Sequence, residues 1–234
     1  MTEPWLTLAL PKGRLAGETS ELLREAGLLP GDGRTPERQL VVADERRRVR
    51  YVWLRPADAL TYVDRGVAAA GIVGKDVLLE AEAAVDELAD LGIGRCRVAL
   101  AAPAEAALAE TGVRGSTQRL GRPLRIATHL PRVTRRYFEA LGEPVELIYL
   151  RGSVEIAPLL GLADAIVDLV QTGATLRANG LVEVAQLLDV SCRLIAHPHA
   201  RRGGDPRLDE VTAAILRAAH KRLAQGERQE GVRV

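Results

Sequence analysis

The run DAIVDLVQTGATLRANG, residues 164–180, carries an apolar stretch to a carboxylate, Asp168, and then breaks into Thr172-Gly173-Ala174-Thr175. A small-residue turn between a strand and a helix offers backbone N–H groups and the positive end of a helix dipole, a combination that binds phosphate. Gly173 and Ala174 leave room for a phosphate at the backbone, and Thr172 and Thr175 add hydroxyl donors. Asp168, at the carboxyl end of the expected strand, can accept hydrogen bonds from sugar hydroxyls. Phosphate on one side and a diol on the other describe a ribose 5-phosphate. The same turn can also serve only to pack a helix against a strand, and TGAT by itself does not choose.

Lys12 and Arg14, in LPKGRL (10–15), follow the short apolar run LTLAL (6–10), at the strand end where open α/β sheets expose ligand sites. Of 32 cationic residues 29 are arginine, so Lys12 and Lys75, both in glycine-containing turns, are unusual in this chain. GIVGKDVL (71–78) is a second strand-glycine-helix joint, equally consistent with a tight packing turn. His197 and His199 flank Pro198 with no cysteine or acid cluster nearby, so no protein metal site is expected. ERRRVR (45–50) reads as the wet face of a strand rather than a nucleic-acid patch. No Ser-His-Asp arrangement or nucleophile elbow stands out.

Positioning these groups requires an alternating framework. LTLAL reads as a buried strand ended by Pro11, and GETSELLREAGLL (17–29) as a helix with Leu22, Leu23, Ala26 and Leu29 on one face. RQLVVAD (38–44) is extended, and in the next strand (46–55) Val49, Tyr51 and Trp53 alternate with wetter positions. PADALTYVDRG (56–66) is a helix with Pro56 at its first position and Gly66 at its end. AAAGIVG (68–74) is a small-residue strand followed by a helix, and CRVALAAP (96–103) is another strand before a polar loop at 111–123. A second alternation then begins: strand 124–130, helix 133–142 closed by Gly142, strand 145–150, and a short helix 153–161 with Ser153 as its N-cap. After the strand that ends at Asp168, VEVAQLLDVSCRLIA (182–196) is long and extended, and an amphipathic helix spans about 208–224. Strand–helix alternation implies α/β layers. With no linker or repeat in sight, two lobes joined by crossing strands fit better than two separate beads.

The totals narrow the classes. A chain of 234 residues holds one large domain or two small ones, and 47% hydrophobic with 27% charged residues describe a well-cored globular protein. A formal net charge of +1 gives no global field to recruit nucleic acid or an anionic membrane. No apolar run approaches the ~18 residues of a membrane span. The N-terminus MTEPWLTLALPKGRL has an acid where a signal peptide needs basic residues, and Cys96 and Cys192 form no spaced framework. A reduced, cytoplasmic setting is expected.

The longer run EIAPLLGLADAIVDLVQTGATL, from Glu155 through Gly161, Asp168 and Gly173 to Leu176, resembles the motif of the ATP phosphoribosyltransferases, which catalyse the first step of histidine biosynthesis. LPKGRL (10–15), the segment 54–80 and the segment 150–181 look like family segments in family order, and the likeness covers roughly residues 6–200. Phosphoribosyltransferases of purine and pyrimidine salvage place two adjacent acids before the Thr-Gly turn; here Leu169 follows Asp168. The second acid must come from elsewhere, and Glu155 is the candidate.

The resemblance implies a two-lobed fold similar to periplasmic binding proteins, each lobe a mostly parallel sheet flanked by helices, with the active site in the cleft between them. Residues 1–102 with 189–234 are expected to form lobe I, and 103–188 lobe II. It implies that ATP and phosphoribosyl pyrophosphate are the substrates, with Mg²⁺ bound to the latter's pyrophosphate. Asp168 and Glu155 would hold the ribose hydroxyls and Thr172, Gly173, Ala174 and Thr175 the 5-phosphate. Lys12, Arg14, Arg38 and Arg55 would balance the polyphosphates, a task suited to arginine's planar fork. GIVGKDVL would lie on the cleft floor.

Long-form members carry a further C-terminal regulatory domain. Here the last helix is expected to end near Leu223 before the polar AQGERQEGVRV, too little for a core. The likeness is therefore to the short form: a homodimer that joins a regulatory subunit similar to histidyl-tRNA synthetase in a hetero-oligomer. The rival reading is a non-catalytic two-lobed binding or effector module. An exported receptor would need a signal peptide and a transcription factor a DNA-binding segment, and neither is read here.

Overall fold

The computed structural model describes residues 4–29 and 40–230. The chain divides into two compact units, Met1–Gly94 with Ser191–Val234, and Arg95–Val190.

In unit 1 the chain runs β1 (Leu6–Pro11), α1 (Ala16–Glu25), β2 (Val41–Asp44), β3 (Val49–Leu54), α2 (Pro56–Asp64), β4 (Ala70–Gly74), α3 (Lys75–Glu80) and β5 (Asp86–Asp90). In unit 2 it forms β6 (Cys96–Pro103), α4 (Ala107–Thr111), α5 (Ser116–Leu120), β7 (Leu124–Thr128), α6 (Pro131–Leu141), β8 (Val145–Tyr149), α7 (Ile156–Leu159), β9 (Ala165–Val170), α8 (Ala174–Ala178) and β10 (Leu181–Val190). It returns to unit 1 as β11 (Cys192–Ala196), α9 (Pro198–Arg202) and α10 (Pro206–Glu230).

The sheet of unit 1 has the order β2-β3-β1-β4-β11-β5. β1 runs parallel to β3 and β4, while β2, β11 and β5 pair antiparallel with their neighbours. Val49, Tyr51 and Trp53 face inward as their alternation predicts, joining Leu8, Leu10, Leu22, Leu194 and Ile215 in one core. Each such large side chain, fully buried, stabilises the fold by about 1.5–3 kcal/mol. The small-residue character of β4 has a steric cause: a Cβ at Gly71 would lie 2.8 Å from the Ala9 carbonyl oxygen and 2.9 Å from Val63 Cγ2. Gly71 lets β1 and α2 close on β4.

The sheet of unit 2 has the order β10-β6-β9-β7-β8. β7 is parallel to β8 and β9, whereas β6 is antiparallel to both β9 and β10. β9 is the middle strand, which explains its apolar run; Ala165, Ile166 and Val167 are fully buried.

Several details depart from expectation. Both sheets are mixed rather than mostly parallel in their pairings, because β2, β6 and β11 run against the other strands. β6 pairs with β9 and β10 and so belongs to unit 2, which puts the first boundary before residue 95 rather than after 102, and the second at 190/191 rather than 188/189. The polar stretch 111–123 contains α5, which the Glu143 carboxylate anchors by accepting the Gly115 N–H and the Ser116 and Thr117 hydroxyls. Ser153 does not cap a helix: it has φ 50°, and α7 starts later, with Glu155 at its N-cap. α10 continues to Glu230, since Ala, Gln, Glu and Arg are good helix formers.

Candidate functional site

In unit 2 the parallel strands β7 and β9 end side by side, with Thr128 opposite Val167. Asp168 is the next residue of β9, followed by the turn 171–173 and α8. Gly173, the N-cap of α8, has φ 71° and ψ 9°, a left-handed conformation that glycine adopts without the Cβ penalty. The Thr172 hydroxyl accepts the Ala174 N–H at 3.3 Å, and the Arg177 guanidinium reaches back to the Thr172 carbonyl oxygen at 3.1 Å. The turn is thus a compact loop of small residues, hydroxyls and one guanidinium. α8 is only five residues long, so anion binding here rests on local N–H groups and Arg177 more than on a helix dipole.

Asp168 is half-buried. Its Oδ1 accepts the Leu169 N–H at 2.7 Å and lies 3.3 Å from His129 Nδ1. Burial pushes the carboxyl's pKa up; His129 and the Leu169 hydrogen bond pull it down, and the negative charge of Glu155 raises it again. Glu155 therefore lies within electrostatic reach of Asp168, and two carboxylates share this end of the sheet with an imidazole. The expected set of Asp168, Glu155, Thr172, Gly173, Ala174 and Thr175 converges. His129 and Arg177 belong to it too, though sequence reasoning passed over both. Arg177 sits in the quoted motif, and a five-residue look past the turn would have found it; His129 needed the β7–β9 register.

A cavity of about 400 Å³ in the same unit, lined by Leu120, Leu124, Arg125, Pro158, Gly161 and Asp164 among others, lies at the opposite, amino ends of β7 and β9. Open sheets bind ligands beyond the carboxyl ends of their parallel strands, and the groups just described stand there. The cavity is not part of this cluster.

In unit 1 the carboxyl ends of β1, β3 and β4 lie together. Pro11 pairs with Leu54, and the Lys12 N–H donates to the Leu54 carbonyl oxygen at 2.7 Å. Lys12, Arg14 and Arg55 therefore emerge from adjoining strand ends, Arg55 as the N-cap of α2, and all three are exposed. Lys12 and Arg55 make no ion pair among the described residues, whereas Lys75 is committed to Glu87 at 2.5 Å. A Cβ at Gly74 would press on Asp76 Oδ1, so a larger residue there would force the carboxylate to shift. GIVGKDVL is thus a carboxylate folded over a glycine, with its lysine in a structural pair. Arg38 lies outside the described residues.

Comparison with known proteins follows the same lines. A sequence model of the ATP phosphoribosyltransferase family matches residues 55–217. The ATP phosphoribosyltransferase of Bacillus velezensis is 43% identical over 220 residues, which are 94% of this chain and 98% of that protein. Among solved structures, the ATP phosphoribosyl transferase (HisG:HisZ) complex from Thermotoga maritima matches with a TM-score of 0.74 at 30% identity, covering 92% of this chain and 99% of the other. The periplasmic aliphatic sulphonate binding protein from Escherichia coli shares the fold alone, with a TM-score of 0.59 at 12% identity over 97% of this chain and 72% of its own.

Proposed function

The chain belongs to the ATP phosphoribosyltransferase family, and on that footing we propose how its residues carry the reaction. The enzyme catalyses the first step of histidine biosynthesis: N1 of the adenine of ATP displaces pyrophosphate from C1 of phosphoribosyl pyrophosphate, giving N1-(5-phosphoribosyl)-ATP. Adenine N1 is a neutral ring nitrogen with a free lone pair, so attack needs no general base. The bond to pyrophosphate breaks with charge accumulating on the leaving group and C1 becoming cationic, which makes positioning and electrostatics the protein's main task.

The observation that supports the residue roles best is the β9–turn–α8 segment. It holds the half-buried Asp168 within electrostatic reach of Glu155, with the left-handed Gly173 in the turn that follows. Asp168 and Glu155 accept the ribose hydroxyls, and the backbone and hydroxyls of 172–175, with Arg177, hold the 5-phosphate. Lys12, Arg14, Arg38 and Arg55 balance the polyphosphates. Among the described residues no three His, Cys, Asp or Glu side chains converge as a metal site. Mg²⁺ would enter with phosphoribosyl pyrophosphate, where it would help neutralise the leaving group.

We assign the chain to the short form, a homodimer that joins a separate regulatory subunit; its likeness to the Thermotoga maritima complex supports this. No described helix is long and apolar enough to cross a membrane. Cys96 and Cys192 form no disulfide, which suits a reducing compartment, and we place the enzyme in the cytoplasm. Mixing it with ATP, phosphoribosyl pyrophosphate and Mg²⁺ and following the adduct's ultraviolet absorbance tests the activity. Binding of both substrates without adduct would overturn it.

A further inference from the structure

His129 stands at a prepared place. The buried Thr128 hydroxyl donates to the Val167 carbonyl oxygen at 2.8 Å, tying the end of β7 to β9, and accepts the Leu130 N–H at 2.9 Å. The Thr134 hydroxyl, from the first turn of α6, lies 3.5 Å from the same oxygen and donates to the Leu130 carbonyl at 2.7 Å. The residues on both sides of His129 are thus fastened, and its imidazole is delivered to Asp168 with Nδ1 3.3 Å from Oδ1. The Leu169 N–H falls on that same oxygen. Among the described residues both contacts to the carboxylate are on Oδ1, which leaves Oδ2 for a ligand.

We propose that His129 is a positioning residue for Asp168: its imidazole, set against one carboxylate oxygen, steadies the group and leaves the other oxygen facing a ribose hydroxyl. The inference rests on the assignment of Asp168 to the ribose. A carboxyl group accepts two hydroxyl donors well only when ionised, and here burial and the Glu155 charge both favour its proton. Two arginines near this end of β9 are already engaged. Arg97 of β6 is held by Glu183, and Arg177 of α8 by the Thr172 carbonyl. Among the described residues His129 is the side chain that opposes protonation of Asp168.

The test compares wild type, His129→Ala, His129→Asn and Asp168→Asn by kcat/KM for phosphoribosyl pyrophosphate across about pH 5 to 9, with KM for ATP as control. His129→Ala is expected to lose about tenfold in kcat/KM near neutrality and to move the acid limb to higher pH, with KM for ATP unchanged. His129→Asn keeps a donor near the Nδ1 position but no charge. It should recover to within about threefold of wild type near neutrality, with the acid limb still displaced. An unmoved acid limb in either folded variant overturns the proposal, as does a uniform loss at every pH with KM for ATP rising in step. If Asp168→Asn turns over like wild type, the ribose assignment itself falls. If Asp168→Asn is inactive and the His129 variants show no pH shift, only the role of His129 falls.

Discussion

Asp164 and Asp168 flank the same strand, one just before β9 and the other near its end, and they live in opposite circumstances. Burial penalises both. At Asp164 that penalty is overcome: Arg122 grips the two oxygens at 2.7 and 2.8 Å, and Arg125 adds its backbone N–H at 2.9 Å and its guanidinium at 3.0 Å. Its carboxyl is held well below the usual range by these donors. At Asp168 one backbone N–H and one imidazole meet the penalty only in part, and a neighbouring Glu155 adds to it, so the carboxyl is pushed up. A carboxylate whose lone pairs are all satisfied within the protein has no capacity left for a ligand. One left under-satisfied costs stability and keeps that capacity. By this criterion the amino end of β9 is structural and the carboxyl end is the working end.

The sharpest contrast should come from the same substitution at both positions. Asp168→Asn exchanges an acceptor beside the reacting sugar for a partial donor, and turnover should fall by about 100-fold or more, equivalent to ~2.7 kcal/mol or more. Steady-state rates measure this, and turnover within about threefold of wild type would remove Asp168 from the ribose. Asp164→Asn should do the reverse. It strands Arg122 and Arg125 and costs about 1–3 kcal/mol of stability, toward the low end because both arginines are partly exposed. The melting temperature should drop by several degrees while kcat of the folded enzyme stays near wild type. Equal loss of rate in the two variants would dissolve the distinction between the ends.

Gly173 tests the working end without touching a charge. Its φ of 71° makes alanine cost about 1 kcal/mol. An added Cβ would also stand 3.0 Å from Arg177 Nη1, so the guanidinium must give way slightly. Gly173→Val should weaken phosphoribosyl pyrophosphate binding more than ATP binding when each is titrated separately. Equal weakening of both would detach the turn from the phosphoribosyl site.

How far these two ends could be read beforehand follows from what sequence encodes. The apolar run, the Thr-Gly turn and the helix after it are local, and they place Asp168 and 172–175 correctly on the carboxyl end of a central strand. Strand direction is not local: nothing in CRVALAAP says that it runs antiparallel to β9, so the sheets were expected to be more parallel than they are. The Asp164 clamp depends on two arginines some forty residues upstream, invisible among 29 of the same type. The strand expected over 124–130 runs through His129, whereas β7 ends at Thr128. Only the register of Thr128 with Val167 shows that it stops beside Asp168. Ser153 looked like a cap because serine favours that position, but its left-handed backbone delays α7 until after Glu155.

The smallest expected effect concerns stability against pH, where the two aspartates should differ in sign. Asp164 has a depressed carboxyl, so it contributes stability above the unfolded carboxyl range, near pH 3.9. That contribution is lost as pH falls through the range and below it. The stability gap between wild type and Asp164→Asn should therefore close on acidification. Asp168 has a raised carboxyl, so its protonated form is the one the fold favours, and the ionised form held at neutral pH is a burden. Asp168→Asn keeps an acceptor for the Leu169 N–H and removes that charge. It should melt at or slightly above wild type at pH 7, by no more than the ~2–4 °C that about 1 kcal/mol produces in a chain of this size. The advantage should vanish as pH is lowered and wild-type Asp168 takes up its proton. Thermal melts of both variants at several pH values give both signs in one experiment. A fall in the melting temperature of Asp168→Asn at pH 7 would mean that the carboxylate is a structural anchor like Asp164, and the two ends of β9 would no longer differ in kind.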